Sequence, residues 1–174
     1  MKPIIKLYLK TFILTALPYY LISTLFDLGD ENELIFVIRT LTFGLFMSLT
    51  LVSIHRYKLR QTGIENFTDD NLGVYQTRMI ETELTKNELL EKLKSDSVFG
   101  KLKWKEMDNG VAVTTGFSIF SWGEEIRILI KSNKESHFEY QVSSKPKLQT
   151  TIVDFGKNLS NVNKIERIIK NIAS

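Results

Sequence analysis

The sequence predicts an α+β protein in which an N-terminal two-helix transmembrane hairpin precedes a small domain of element order β-α-β-β-β-β-β-α. Two apolar stretches, residues 11–28 and 34–54, are separated by only five residues. Alternating apolar residues and turn signals then recur through residues 74–153, and apolar residues at helical spacing follow them. These patterns predict an antiparallel sheet with one covered face and a C-terminal helix.

The two apolar stretches match a lipid bilayer in length. At about 1.5 Å per residue each would be about 27–32 Å long as a helix, and a hydrocarbon core is roughly 30 Å thick. Lysines precede the first stretch, acidic residues surround the link, and basic residues follow the second stretch. Because basic residues near span ends stay in the cytoplasm, we expect a multi-pass protein of the inner (plasma) membrane with both termini cytoplasmic. No small-x-small cleavage site closes the first stretch, which favours an uncleaved anchor.

Small and hydroxylic residues recur every four positions in both stretches. Such residues let helices approach closely and form hydrogen bonds across the contact. We expect them between the two spans or against a second copy of the chain; bonds to carbonyls of their own helix are the alternative. The candidate packing residues are Thr15, Tyr19, Ser23, Thr40, Gly44 and Ser48.

Arg39 is the one charge well inside a predicted span. A charged side chain at the bilayer centre costs on the order of 3 kcal/mol, so Arg39 needs a partner or water. Folding the hairpin back on itself places Arg39 near Ser23, with Asp27 one turn closer to the outer surface. We therefore consider an ion pair of Asp27 with Arg39. The alternative is that Arg39 extends towards the acidic link.

Three segments follow from the charge and composition of the chain: a hairpin with basic ends over residues 1–60, a linker over 61–73, and a cytoplasmic α+β domain over 74–174. The first segment holds seven Lys or Arg against four Asp or Glu, and residues 61–174 hold sixteen of each. A neutral domain lacks the positive field that non-specific nucleic-acid binding requires, so we expect no nucleic-acid partner. The chain has no cysteine, which excludes disulfides and thiolate chemistry.

The domain is predicted to begin with a strand over residues 74–84. Thr85 and Glu88 form a possible capping box for a helix over 85–95. A strand from Lys101 and a strand over 111–120 are joined by the turn Asp108-Asn109-Gly110 into a hairpin.

The remaining elements are predicted from alternation and helical spacing. A strand over 125–131 ends at the turn 132–134, and a strand with Phe138, Tyr140 and Val142 on its inner face follows. A last short strand is expected within 148–153. The C-terminal amphipathic helix, with Ser160 as its candidate cap, carries apolar residues as far as Ile172.

This order of elements is similar to that of helix-grip and TATA-box-binding-like domains, in which a curved sheet wraps a long C-terminal helix. The arrangement of two spans before a sheet domain also resembles bacterial membrane proteins with pleckstrin-homology-like domains, although the helix at Thr85 departs from that pattern. The helix-grip resemblance implies a concave face that would hold a hydrophobic ligand, and it implies no activity.

Basic and aromatic residues supply the candidate contact surfaces. The predicted contacts with anionic lipid are Arg56, Lys58 and Arg60 after the second span, and Lys101, Lys103 and Lys105 on one face of one strand. An ordinary solvated surface is the alternative. Lys145 and Lys147 flank Pro146 near a predicted turn. At a strand end, Phe117, Phe120 and Trp122 cluster, where core or edge packing competes with a ligand or membrane contact.

No constellation of catalytic or metal-binding residues assembles in the sequence. Asp154-Phe155-Gly156 lacks the other kinase motifs and is interpreted as a turn before a helix, and His55 and His137 are far apart. We expect no cofactor and a non-catalytic domain that binds another protein or further copies of the chain beside the lipid bilayer. A tethered carrier or sensor of a hydrophobic ligand or lipid, and an oligomeric channel or transporter accessory subunit, are the alternatives.

Overall fold

Two helices occupy most of the N-terminal unit of the computed structural model, which describes residues 1–26, 32–118, 121–134 and 137–170. Helix α1 spans Pro3–Leu25 and α2 spans Glu33–Gln61. Proline at the first helical position starts α1, and the Asn32 side chain accepts a hydrogen bond from the Leu34 N–H at the start of α2. Both helices are long and apolar enough, by length and composition, to cross a membrane.

The helices extend beyond the predicted apolar stretches. Helix α1 begins at Pro3 rather than at residue 11, so Lys6 and Lys10 are helical, and α2 continues to Gln61 as predicted. The predicted linker contains a short helix α3, Asp69–Leu72. Thr68 and Asn71 exchange side chain to backbone hydrogen bonds of 2.9 and 3.3 Å, which provides the turn that the composition did not reveal.

The chain divides into two units, Met1–Leu72 and Gly73–Ser174. The second unit is built on an antiparallel sheet whose five strands have the order β1-β5-β4-β3-β2, and this confirms the α+β class. Its elements are β1 (Gln76–Thr82), α4 (Lys86–Ser95), a 3₁₀ turn (Phe99–Lys101), β2 (Lys105–Met107), β3 (Gly110–Thr114), β4 (Glu124–Lys134), β5 (His137–Pro146) and α5 (Lys157–Lys170).

One face of the sheet is covered by α4 and α5, as predicted. Inward side chains of the strands alternate with outward ones, and Phe138, Tyr140 and Val142 lie on the inner side. The fully packed centre is made by Ile80, Leu89, Leu90, Leu93, Phe99, Val111, Val113, Ile126, Ile128, Tyr140, Val142, Val162, Ile165 and Ile169. Burial of these side chains is the main stabilising term of the domain.

The capping box of α4 is confirmed. The Thr85 side chain accepts a hydrogen bond from the Glu88 N–H, and the Glu88 carboxylate accepts one from the Thr85 N–H at 2.8 Å. The bond from the Thr85 backbone, together with the one from its hydroxyl, lowers the pKa of Glu88.

Two strand predictions are wrong. Residues 148–153 form a turn, because the Thr151 N–H and hydroxyl both donate to the Leu148 carbonyl, at 3.1 and 2.7 Å. The strand predicted from Lys101 begins only at Lys105. The carboxylate of Asp96 accepts the N–H groups of Val98 and Phe99, which winds the chain into the 3₁₀ turn instead.

Strand and helix limits also differ from the prediction. Strand β3 ends at Thr114, and β4 continues through the predicted turn to Lys134. Helix α5 begins at Lys157 rather than at Ser160, because Asp154 caps it: its carboxylate accepts the Asn158 N–H at 2.8 Å. The tripeptide 154–156 is a turn before this helix, as predicted. Phe120 and Ile172 lie outside the described residues.

Candidate functional site

The two apolar helices touch through small residues. A Cβ on Gly44 would lie 2.7 Å from the Cβ of Ala16, so only glycine fits at this crossing. One turn further along α2, the Ser48 hydroxyl donates to the Tyr8 carbonyl of α1 at 2.7 Å. This bond joins a polar side chain of one helix to the backbone of the other.

The other candidate packing residues divide between contacts within a helix and contacts between helices. Ser23 and Thr40 are buried, and Tyr19 stacks on Phe43 of α2 with ring centroids 4.4 Å apart. The Thr15 hydroxyl donates to the carbonyls of Thr11 and Phe12 in its own helix. For Thr15, therefore, the structure shows the alternative of bonding within its own helix.

Arg39 is half-buried, with its guanidinium 5.5 Å from the centre of the Phe36 ring one turn earlier in α2. Such a contact attracts a cation by about 0.5–2 kcal/mol. The proposed partner, Asp27, lies outside the described residues.

The basic residues that follow the second apolar stretch gather on an aromatic ring. The guanidinium groups of Arg56 and Arg60 lie 5.4 and 5.9 Å from the centre of the Phe67 ring, and Lys58 donates to Gln61. Sequence reasoning missed Phe67, although an isolated aromatic residue in a polar linker was a visible signal. The predicted contact of Arg56, Lys58 and Arg60 with anionic lipid stays a prediction.

Lys101, Lys103 and Lys105 do not share one strand face, which corrects the sequence interpretation. Lys101 ends the 3₁₀ turn, Lys103 lies between elements, and Lys105 begins β2. All three side chains are exposed. The predicted contact of these three lysines with anionic lipid stays a prediction.

A loop between β3 and β4 carries the most exposed aromatic pair of the domain. Phe117 and Trp122 are 71% and 67% exposed, and their rings meet edge to face with centroids 5.3 Å apart. We call the described residues of this loop, 115–118 and 121–123, the aromatic loop. Of the two roles considered from the sequence, core packing does not describe Phe117 and Trp122, because both face solvent.

Backbone hydrogen bonds order this aromatic loop. Ser118 and Ser121 exchange N–H to carbonyl bonds of 2.7 and 3.2 Å, and the Gly123 N–H donates to the Ser121 hydroxyl. Gly123 has φ of +98°, and a Cβ there would lie 2.6 Å from the Thr115 carbonyl. Its identity is thus set by the close passage of the two loop ends.

A buried carboxylate supports the base of the aromatic loop. Glu124 is 1% exposed, and its carboxylate accepts a hydrogen bond from the Thr115 hydroxyl. The Glu124 N–H donates to the same hydroxyl at 2.8 Å. Within the described part of the chain, the second carboxylate oxygen, Oε1, has no hydrogen-bond partner. Sequence reasoning did not single out Glu124, because burial of one of two adjacent glutamates has no local signal.

Lysines stand beside the aromatic loop. Glu124 pairs with Pro146 across β4 and β5, and the Lys147 N–H donates to the Gly123 carbonyl at 2.9 Å. The Lys145 ammonium is 3.0 Å from Glu125, and this hydrogen bond lowers the pKa of the Glu125 carboxyl. The lysine pair and the aromatic pair, separate in the sequence, are thus neighbours in the fold.

The opposite end of the same strands is acidic. Glu81 of β1 lies directly across from Glu139 of β5, and a cleft of about 700 Å³ there is also lined by Glu83, His137 and Phe138. Like charges placed across a strand pair repel. No group of three or more histidine, aspartate or glutamate residues is arranged to hold a metal ion in the ranges that the structure describes.

The space between the sheet and α5 is filled. The side chains of Ile126, Ile128, Tyr140, Ile165 and Ile169 are at most 3% exposed and belong to the packed centre. The resemblance to helix-grip domains implied an open concave face at this place. The carrier hypothesis therefore loses the cavity on which it depended.

No protein-family model, no curated protein and no solved structure matches this chain. Its function is therefore inferred from its own residues and contacts.

Proposed function

We propose that this chain is a membrane-anchored binding protein. In this proposal α1 and α2 cross the inner (plasma) membrane as a hairpin with both termini in the cytoplasm, and the sheet domain is a non-catalytic module for a protein partner or a second copy. The single observation that carries the proposal is the surface of the two helices. Large apolar side chains such as Leu17, Leu45 and Phe46 are 54–64% exposed along their length.

Exposed apolar surface of this extent supports a lipid environment for these helices over an aqueous one. Only 17% and 22% of the most apolar windows of α1 and α2 are buried, and the buried part consists mainly of small residues such as Ala16 and Gly44. A core helix of a water-soluble domain would instead bury its large apolar side chains. In the proposal a bilayer covers these apolar side chains. A helix can lie in a bilayer because its backbone hydrogen bonds are satisfied internally.

The close contact of α1 with α2 also limits how copies would associate. Gly44 and Ser48 are buried against α1 of the same chain, so they are unavailable to a second copy. Self-association would use the exposed apolar faces of the helices or the surface of the sheet domain. Crosslinks placed at Gly44 would then report the hairpin itself.

The anchoring is tested by extraction and by topology. We expect the full-length chain to stay in the membrane pellet in alkaline carbonate and to dissolve only with detergent. Tags at either terminus should be protected in intact cells and accessible in inverted vesicles. A chain that dissolves without detergent, or a terminal tag that is labelled from outside, would contradict the proposal.

The binding role is tested by purification in mild detergent, with the mass of the particle and of co-purifying chains measured. A defined protein partner or a discrete oligomer supports it. A monomer that retains a tightly bound small molecule would favour a ligand-binding role instead.

A further inference from the structure

We propose that the aromatic loop, residues 115–118 and 121–123, is a membrane-docking element that places Phe117 and Trp122 in the headgroup region of the bilayer that anchors the chain. This inference rests on the proposed anchoring and adds to it a second, shallow contact made by the sheet domain. The occupant of the loop is thus the cytoplasmic leaflet of the chain's own membrane.

The first argument is the position of the exposed apolar side chains. Among the described residues of the second unit, the exposed large apolar ones are Tyr75, Met79, Val98, Phe117, Trp122 and Leu148. Four of these six lie at one end of the sheet, which we call the Gln76 end. Tyr75 immediately precedes Gln76, Leu148 follows β5, and the aromatic loop connects β3 to β4 there.

The register of the strands defines this end. Gln76 of β1 lies opposite Ser144 of β5, and Pro146 of β5 lies opposite Glu124 of β4. Thr114, the last residue of β3, lies opposite Glu125. The start of β1, the end of β5 and both ends of the aromatic loop therefore meet at the Gln76 end.

The second argument is the covalent connection. The chain arrives at β1 from Leu72 and Gly73, where the first unit ends, so the Gln76 end is also where the domain is tethered. A short tether holds a second site at millimolar effective concentration. Even a weak affinity of two aromatic rings for the interface is then sufficient for contact.

The third argument is the type of side chain. Trp and Tyr are enriched at membrane–water interfaces because an apolar ring and a polar N–H or O–H are satisfied together there. The exposed Lys147 lies beside the loop, where its N–H donates to the Gly123 carbonyl, and a lysine near an anionic leaflet is attracted to it. Lys145 is already paired with Glu125 at this end of the sheet. The glutamates that line the cleft lie at the other end of the strands, where they would be kept away from anionic lipid.

The test uses the full-length chain in liposomes of phosphatidylcholine and phosphatidylglycerol. The sequence has two tryptophans, so Trp104→Phe leaves Trp122 as the single emitter. We expect blue-shifted emission, and strong quenching by lipids that carry a nitroxide close to the headgroup. Nitroxides at the end of the acyl chain should quench it less, because the contact is shallow.

Three further variants test and control this measurement. A chain with Trp104→Phe, Trp122→Phe and Met79→Trp carries its only indole on the uncovered face of β1, and it should not be quenched. Lys147→Glu in the Trp104→Phe background should lose part of the quenching in anionic liposomes only. Lys103→Glu, an equally exposed charge reversal elsewhere, should leave the quenching unchanged.

The outcomes separate this inference from the anchoring. A chain that floats with the liposomes while Trp122 remains red-shifted and unquenched overturns the docking and leaves the anchor in place. Blue-shifted emission without lipid quenching shows that a protein surface covers the loop, and it also overturns the docking. A chain that does not float at all overturns the anchoring itself.

Discussion

The two units of this chain place their large apolar side chains in opposite ways. In α1 and α2 most large apolar residues face outward, Leu7, Val52 and Leu59 being buried exceptions, and small residues such as Gly44 and Ala16 face the partner helix. In the sheet domain the large residues, such as Ile128 and Tyr140, are fully buried. The comparison teaches that only the second unit sorts its apolar residues as burial away from water requires, which is the contrast that the proposed membrane anchor explains.

The largest test of this contrast removes a large apolar residue from each unit. Ile128→Ala should lower the free energy of unfolding of the sheet domain by about 2–5 kcal/mol, because it leaves a cavity in a packed core. Leu45→Ala, at a 55% exposed position of α2, should leave the free energy of unfolding of the helical unit unchanged. Denaturant unfolding of the full chain in detergent measures both, the sheet domain by Trp104 fluorescence in a Trp122→Phe background and the helical unit by far-ultraviolet circular dichroism.

Equal losses from these two substitutions would break the comparison. They would show that the side chain of Leu45 is part of a packed core rather than of a lipid-facing surface.

The second test enlarges a small residue between the helices. Gly44→Val should separate α1 from α2 and cost about 1–3 kcal/mol, because the new side chain overlaps the Ala16 methyl group. Spin labels at the exposed Leu9 and Leu49 should report a longer or broader distance distribution. Phe46→Leu, on the exposed side of the same helix, is the control and should leave the distances as they were.

The third test concerns the buried carboxylate of Glu124. Glu124→Ala should loosen the aromatic loop by about 1–3 kcal/mol, because the Thr115 hydroxyl loses its carboxylate acceptor. Faster hydrogen exchange at the Thr115 and Gly123 amides would register the change, with the exchange of core strand amides unaltered. Glu124→Gln keeps an acceptor oxygen and should behave like the original chain; if it exchanges as fast as the alanine variant, the hydrogen bond is not what orders the loop.

The smallest expected effect is a response to alkaline pH. Burial raises the pKa of Tyr140 to about 12, with a smaller contribution from the Glu88 carboxylate, and its hydroxyl donates to the Leu84 carbonyl at 2.9 Å. The folded state thus holds this proton more tightly than the unfolded state, whose tyrosine titrates near 10. The stabilisation is complete below about pH 10 and is lost as the pH rises towards 12.

Tyr140→Phe checks this origin. The variant should be slightly less stable at neutral pH, by about 1 kcal/mol for the missing hydrogen bond, and its stability should decline less between pH 10 and 12. A decline as steep as that of the original chain would assign the alkaline sensitivity to other groups.

Local patterns predicted much of the fold because they act over a few residues. Alternation placed Tyr140 and Val142 inward, and the Thr85 capping box fixed the start of α4. The false strand at 148–153 has the right composition. It fails because one carbonyl, that of Leu148, accepts both donors of Thr151 and closes a turn.

The candidate site was harder to predict because it depends on contacts between distant segments. Nothing in the alternation of residues 124 and 125 indicates which acid is buried. The burial of Glu124 requires Thr115 across the loop, and the proximity of Lys147 to the aromatic loop requires the pairing of β4 with β5. Exposure of Phe117 and Trp122 follows from that same pairing rather than from their own neighbours in sequence.

The pairing of β1 with β5 has a consequence for biosynthesis. Strand β1 is an edge strand whose hydrogen-bond partner in the sheet is β5, so it cannot join the sheet until residues 137–146 have left the ribosome. Strands β3 and β4 can pair before that moment, because β4 follows β3 closely along the chain. Strand β1 therefore joins the sheet late although it is made first, and a nascent chain halted before His137 would leave it without its partner strand.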